Sequence, residues 1–432
     1  MNFYNFINLK MNIVKKNVYK LMEELSNQQK DAFIVFKEFA NSIERMFLLC
    51  GCAGSGKSFL TRVFINYIYN SGLSIIVLAP THKALGVIRD YVDNINIECS
   101  TIAKFLCKKQ TFHDNGEVSF IRESNLYMKH KYNYIFIDEA SMIDMDDFHC
   151  FQNIHSSKII FIGDLYQLPP IGEVNSIVFD KVCYKYELTE TIRTSHNTLQ
   201  TIYNEFRNFI IKNIELELDD NEHFTVYNSK SDFFTAIQEN YSSNCKIITY
   251  RNIMVDVYNK YIRKICLKTN EPYIIGEQLV FTQPYLVDYQ NNTEVIVKNA
   301  TKCKLSHPFT HVLYTVYKLD LMDDNSIYKI ADESRDEHDF YFKKMLHEIL
   351  TSTAKNKTKK WAKYYTWKNA FDAPVVYNYA MTAYKSQGST IPITFIDLDD
   401  IFHSMINKDT VVMKKAMYTS ITRASDKIYL LL

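Results

Sequence analysis

The stretch Gly51-Cys52-Ala53-Gly54-Ser55-Gly56-Lys57-Ser58 limits the folds open to this chain more than any other. The chain has only 10 glycines in 432 residues, yet Gly51, Gly54 and Gly56 all fall here. The order Gly-x-x-x-x-Gly-Lys-Ser is the spacing of a loop that cradles phosphates. Its backbone N–H groups curl around a polyphosphate, the ammonium of Lys57 meets the outer phosphates, and the Ser58 hydroxyl ligates Mg²⁺. Upstream, Met46 to Cys50 is a short apolar run that reads as a buried strand; downstream, Phe59 to Ile65 has helical periodicity. The loop therefore sits at a strand-to-helix junction with the helix dipole aimed at the anion. These flanks favour a nucleotide site over an ordinary turn.

Three more apolar runs predict strands, at 73–79, 134–137 and 158–162, and each stops at polar residues or proline. Buried strands alternating with helices describe a doubly wound parallel sheet, in which ligands gather at the carboxyl ends of the strands. Asp138 and Glu139 follow the second run, and Asp164 follows the third. Beside a P-loop, the aspartate can hold Mg²⁺ while the glutamate orients and deprotonates an attacking water. Gln167 is placed to sense the terminal phosphate. Lys57 alone cannot surround the transition-state charge, and Arg193 and Arg423 are the cationic candidates.

A hairpin is expected within 105–131, around Asn115-Gly116. A second α/β unit starts near residue 246, resumes at 393–397 and closes with a strand over 427–432. Residues 273–374 interrupt it and read as an inserted domain, β-rich first and then charged and helical. The mass of 50.8 kDa calls for two or three domains. No run of 18 apolar residues predicts a membrane helix, and the N-terminus is a poor signal peptide. Nine scattered cysteines read as reduced thiols in an intracellular setting, cytoplasmic or nuclear. The net charge of +1 announces no nucleic acid, so such contact must come from local patches. One candidate is the run at 355–368, where six lysines interleave with both tryptophans and two tyrosines. It reads equally as a solvated helix face or as a surface for bases and phosphates.

The signatures, in order, resemble superfamily 1 helicases of the class B branch, the RecD/Dda/Pif-like group, with insertions laid out most like the Dda type. LSNQQKDAF (25–33) resembles the adenine-reading segment, with Gln29 at its glutamine, and GCAGSGKS resembles motif I. Ala79 to Ala84 resembles motif Ia, Ser100-Thr101-Ile102 motif Ib, IDEASM motif II and GDLYQLPP motif III. ELTETIRTS (187–195), MTAYKSQGST (381–390) and YTSITRA (418–424) resemble motifs IV, V and VI. The resemblance implies an α/β fold of two RecA-like P-loop domains, each a parallel doubly wound sheet, with a β-hairpin insertion and an inserted small β-barrel and helical domain. The first ATPase domain would span 1–200 with the hairpin at 105–131. The second would take 201–272 and 375–432, and the accessory domain 273–374.

It implies an ATP- and Mg²⁺-dependent DNA helicase moving 5′ to 3′ on single strands, with single-stranded and forked DNA as partners. Replication or recombination proteins are further possible partners, no membrane is involved, and the chain is compatible with a monomer. Lys57, Glu139, Gln167, Arg193 and Arg423 would be catalytic, and Ser58 and Asp138 would hold the metal. Gln29, Gly51, Gly54, Ser55, Gly56, Lys57, Ser58 and Gly388 would bind nucleotide. Pro80, Thr81, His82, Thr101, Thr249, Thr382, Tyr384 and Lys385 would face DNA, with Phe112 or Phe120 as the fork wedge. At Tyr384, relatives often carry His or Phe. An RNA helicase of the same superfamily, or a nucleotide-gated clamp without unwinding, are the rival readings.

Overall fold

The computed structural model describes residues 22–81, 84–86, 97–112, 118–122, 131–190, 197–212, 218, 220–285, 289, 291–352, 357–405 and 409–432. The chain divides into two compact units, one of residues 1–106, 127–258 and 380–432 and the other of 107–126 and 259–379.

Two parallel sheets build the first unit. The six-stranded sheet runs Glu98–Thr101, Ile75–Ala79, Tyr134–Ile137, Lys158–Gly163, Met46–Gly51 and Tyr184–Leu188, all parallel. Its four inner strands read as apolar runs because both faces are covered, whereas the edge strands Glu98–Thr101 and Tyr184–Leu188 are polar and partly exposed. Phe47, Leu49, Val77, Phe136, Ile160 and Ile162 enter one hydrophobic layer. Their neighbours Leu48, Ile76, Ile135, Ile159 and Phe161 enter the opposite one. The helix Asn27–Asn41 covers the first layer, started by a capping box in which Ser26 and Gln29 each accept the other's backbone N–H. It buries Phe33, Phe36 and Phe39, and the Phe36 and Phe64 rings stack at 3.9 Å.

The five-stranded sheet runs Ala380–Thr382, Cys245–Thr249, Ile391–Asp397, Ala424–Leu431 and Phe224–Tyr227, again all parallel. The helices Asn197–Lys212 and Thr410–Ile421 pack on it around Phe206, Ile248, Ile396, Tyr418 and Leu430. This is the expected pair of RecA-like α/β domains.

The second unit holds an antiparallel sheet in the order Ser326–Ile330, Leu313–Leu321, Glu294–Ser306, Gln278–Phe281 and Val375–Tyr377, with a bulge between Val297 and Asn299. A small barrel was expected here. Among the described residues the two edge strands share no ladder, yet their edges meet: the Ala373 N–H, just ahead of Val375–Tyr377, donates to the Tyr328 carbonyl of Ser326–Ile330 at 2.8 Å. Alternating apolar residues specify strands, whereas closure depends on tilt and stagger that the pattern does not carry. Two helices, Asp332–Thr351 and Lys357–Asn369, complete the unit.

The unit borders differ from the expected domain borders in three places, the smallest being residues 375–379, expected in the second α/β unit, which group with the antiparallel sheet as its strand Val375–Tyr377. Residues 259–272, expected in the second α/β unit, group with the antiparallel sheet. The reason is side-chain stapling: Asn259 bonds the Tyr377 carbonyl (2.9 Å) and the Tyr379 N–H (3.1 Å), and Arg263 pairs with buried Glu277. The hairpin Lys108–Phe112 with Val118–Arg122, expected as an appendage of the first domain, groups with the second unit, where it packs on the helix Lys357–Asn369. Its Asn-Gly turn and the side chains of Phe112 and Phe120 lie outside the described residues.

Candidate active site

Because the six-stranded sheet is parallel, Gly51, Ala79, Ile137 and Gly163 all end at one edge, and the loops that follow them converge there. The P-loop needs its glycines for space and for backbone. A Cβ on Gly51 would stand 2.8 Å from the Leu188 carbonyl oxygen, and one on Gly54 would stand 2.5 Å from the Gln200 amide. Gly54 and Gly56 take φ of +80° and +79°, a region costly for other residues. Gly56 caps the helix Lys57–Asn70, directing the free N–H groups of its first turn into the loop. Buried Ser55 fixes the curl by donating to the Cys52 carbonyl at 2.9 Å. Lys57 Nζ lies inside it, donating to the carbonyls of Gly51 (2.7 Å) and Cys52 (2.9 Å). Ser58 is exposed at the first turn of that helix.

Gln29 is buried beside the loop rather than open to it. Its Oε1 completes the capping box, and its Nε2 donates to the Gly56 carbonyl at 3.3 Å. The neighbouring Gln28 accepts from the Thr189 and Glu190 N–H groups, both at 3.0 Å.

Asp138 and Glu139 end the strand Tyr134–Ile137. Glu139 has a φ of +54°, a left-handed backbone that non-glycine residues adopt at an energetic cost and that recurs at active sites. The turn is held by the Glu139 N–H donating to Asp138 Oδ1 at 2.9 Å. Burial pushes the Asp138 carboxyl above its ordinary range against the pull of Lys57. Burial, reinforced by Asp138, pushes Glu139 up to about 7, with Arg423 and Lys57 opposing. A carboxylate poised near neutrality suits proton abstraction.

Gln167 joins the two parallel sheets. With its amide oriented to satisfy both neighbours, it donates to Glu139 Oε2 and accepts from Arg423 Nη2, each at 3.1 Å. Arg423 is buried at the end of the helix Thr410–Ile421, where Nε donates to the Thr419 carbonyl (2.9 Å) and Nη2 to Thr422 Oγ1 (3.0 Å). Gly388, at φ +69°, lies where an added Cβ would sit 3.6 Å from Glu139 Oε1. Lys57, Glu139, Gln167, Gly388 and Arg423 are thus brought together from distant parts of the sequence. Arg193 and His82 lie outside the described residues.

One further group was not singled out from the sequence. Tyr418 is fully buried, and its hydroxyl accepts from the P-loop N–H of Ala53 (3.1 Å) while donating to Asp164 Oδ2 (2.9 Å). It ties motif VI to the P-loop and to motif III. The sequence signal was only a tyrosine five positions before Arg423, one of 31 in the chain. Two flanking bonds run the same way: Leu168 N–H to Thr419 Oγ1 and Gln387 Nε2 to the Leu168 carbonyl, both 2.9 Å.

The expected nucleic-acid residues divide. Pro80 and Thr81 are half-buried at the sheet edge, where Thr81 Oγ1 caps the Ala84 N–H at 3.2 Å. Thr101 and Thr382 are buried, and their hydroxyls cap short helices by accepting from Lys104 N–H (3.3 Å) and Lys385 N–H (3.4 Å). Thr249 is placed differently from the expectation. It is fully buried, and its hydroxyl donates to Asp400 Oδ2 at 2.6 Å, because the strand end is closed over by the helix Leu398–Met405. Tyr384 and Lys385 are half-buried. Burial pushes the Tyr384 hydroxyl up to about 12 and the Lys385 ammonium down.

The family model of the AAA domain matches residues 24–222. The chain is 27% identical to an uncharacterised protein, R530, of Acanthamoeba polyphaga mimivirus, over 90% of this chain and 96% of that one. It is 25% identical to the ATP-dependent DNA helicase dda of Enterobacteria phage T4, over 94% and 99% of the two chains. A structure of Pif1 helicase from Bacteroides, in complex with ADP-AlF3 and ssDNA, has a TM-score of 0.52 at 15% identity and covers 94% of this chain and 92% of its own. The twin RecA-like fold and the shared nucleotide cleft belong to an ATP-hydrolysing helicase of superfamily 1. Within that superfamily the chain is similar to the RecD/Dda/Pif-like branch.

Proposed function

We propose that the chain is a DNA helicase that translocates 5′ to 3′ along single strands and splits forked duplex, driven by ATP hydrolysis. The observation that carries this reading is the Gln167 bridge. It couples Glu139 in one RecA-like domain to Arg423 in the other, so the hydrolytic site is complete only when both domains contribute. The same reading takes a first ATPase domain within 1–200 apart from the hairpin, a second over 201–258 and 380–432, and an accessory unit over 259–379 that the hairpin joins.

In this mechanism the P-loop N–H groups and Lys57 bind the β- and γ-phosphates. A hydroxyl on Ser58 and carboxylate oxygens on Asp138 are hard donors of the kind Mg²⁺ takes, so this donor set fits the ion. When bound, the ion neutralises the charge that builds on the phosphates. Glu139 accepts the proton of the attacking water, Gln167 holds that carboxylate in line, and Arg423, with Arg193 as a second cation, meets the charge of the transferring group. Bond cleavage loosens Arg423 and Tyr418 from the first domain, and the resulting domain motion moves the strand. Pro80, Thr81, His82, Tyr384 and Lys385 are the proposed strand contacts. The T4 and Bacteroides relatives support DNA as the track.

The test is strand displacement with ATP on 5′-tailed and 3′-tailed duplexes of DNA and RNA. The reading expects displacement of 5′-tailed DNA, lost in Lys57→Ala. Displacement confined to 3′ tails or to RNA would refute the direction or the track, and strand binding without any displacement would leave only a nucleotide-gated clamp.

A further inference from the structure

The helix Asn197–Lys212 packs on the five-stranded sheet, yet one of its faces reaches the P-loop at the edge of the other sheet. Gln200 and Arg207 stand two turns apart, and the helical repeat puts both on that face. Gln200 is buried, and its amide abuts the loop so closely that a Cβ on Gly54 would stand 2.5 Å from Nε2. Between the two, Tyr203 donates its hydroxyl to the Ala424 carbonyl at 2.6 Å, next to Arg423.

Arg207 is held in place without using all its donors. Its Nη2 pairs with Glu187 Oε1 at 3.3 Å, and its guanidinium lies 5.1 Å from the centre of the Tyr166 ring. Its Nε is sealed from water and has no hydrogen-bond partner. A buried donor left unpaired is costly, so a ligand that pairs it is favoured. Glu187 lies in register with Cys50, the residue before Gly51, and Tyr166 precedes Gln167. Arg207 therefore stands between the root of the P-loop and the glutamine that bridges Glu139 and Arg423. Burial pushes the Cys52 thiol of the P-loop up, and Arg207 opposes this more strongly than Lys57 does.

We propose that Arg207 is a further phosphate-binding residue of the nucleotide site, parked on Glu187 until the terminal phosphate of ATP draws its guanidinium away. The proposal rests on the reading of the P-loop as the ATP site. Guanidinium takes phosphate through two parallel N–H bonds, and such a fork can use the idle Nε. Glu187 is half-exposed, so water screens its hold on Arg207 and solvates its carboxylate once the arginine leaves. Gln200, seated on Gly54, keeps the helix against the loop while this exchange takes place. The place beside Gln167 puts the contact at the end of the nucleotide where the bond breaks, and this is why the terminal phosphate is the ligand.

The experiment titrates the full chain with adenosine 5′-(β,γ-imido)triphosphate, a non-hydrolysable form of ATP, and with ADP. Arg207→Gln should weaken the triphosphate by about 10- to 100-fold and leave ADP close to the parent. Glu187→Gln should move the other way and tighten the triphosphate, because nothing then competes for the guanidinium. The double variant should match Arg207→Gln alone, since Glu187 acts through Arg207. A purely structural ion pair gives another pattern: both single variants lose affinity, or triphosphate and ADP weaken alike, with a lower melting midpoint. Either result, or an unchanged triphosphate affinity in Glu187→Gln, overturns the proposal. Should Arg207→Gln fail to fold, Glu187→Gln still decides, because loss of a structural ion pair does not tighten a ligand. Failure of the parent to bind the triphosphate, or equally tight binding by Lys57→Ala, would instead sink the nucleotide-site reading itself.

Discussion

Replacing Tyr418 with phenylalanine tests whether the two RecA-like domains are coupled through the P-loop. The ring stays, so no cavity opens in the core around Phe206 and Leu430. Only the hydroxyl is lost, and with it the bonds from Ala53 N–H and to Asp164 Oδ2. A hydrogen bond to a charged group contributes about 1.5–3 kcal/mol and a neutral one about 1 kcal/mol. Both bonds cross from motif VI to the first domain, so the loss falls on the closed arrangement. Taking the carboxylate bond alone, turnover at saturating ATP and DNA should drop by about 10- to 100-fold. Lys57, Glu139 and Arg423 stay in place, so KM for ATP should change far less than kcat. The assay is steady-state hydrolysis with and without single-stranded DNA, alongside a melting curve. If kcat, the DNA stimulation ratio and the melting midpoint all match the parent, Tyr418 is packing and the coupling argument fails.

Glu139 should give hydrolysis a pH dependence. It must be ionised to accept a proton, and its carboxyl is pushed up to about 7, so kcat should fall as pH drops through that value; a flat profile across it would exclude Glu139 as the base. Glu139→Gln should retain nucleotide binding, measured by fluorescent-analogue titration, while turnover falls by about 100-fold or more. Thr249→Val should act on stability and not on DNA. It removes a buried donor to Asp400, worth about 1.5–3 kcal/mol, while single-strand affinity should hold. Burial raises the Asp400 carboxyl, but hydrogen bonds led by Thr249 hold it below its ordinary value. The deficit should therefore be full above the carboxylate range and shrink as pH falls through it, which denaturant titration at two pH values would show. Alanine at both Phe112 and Phe120 should reduce strand separation with DNA-stimulated hydrolysis nearly intact; joint loss of both activities with earlier melting would make the pair hairpin core.

The nucleotide site was legible in the sequence because its parts are local. A strand, a glycine loop and a helix N-terminus follow one another in the chain, so Gly51 to Ser58 state the site before any folding is known. The strands before Asp138 and Asp164 were equally plain, since a parallel sheet covered on both faces makes every residue of the strand apolar. What the sequence could not state was which distant polar groups meet. Tyr418 is one tyrosine among 31, and only the packing of the two sheets sets its hydroxyl between Ala53 and Asp164. Thr249 ends a strand as a ligand-facing residue would, yet Asp400, 151 residues further on, accepts its hydroxyl and lies in the helix that buries it. The lysine run at 355–368 was ambiguous because a helix decides its faces only when a partner takes one of them. The helix Asp332–Thr351 took Trp361 and Tyr364, and that choice left Lys359, Lys360 and Lys363 to the solvent. Covalent neighbours wrote the phosphate cradle into the sequence; the partners of its buried polar groups came from tertiary packing, since a donor sealed from water must find its acceptor wherever the fold brings one.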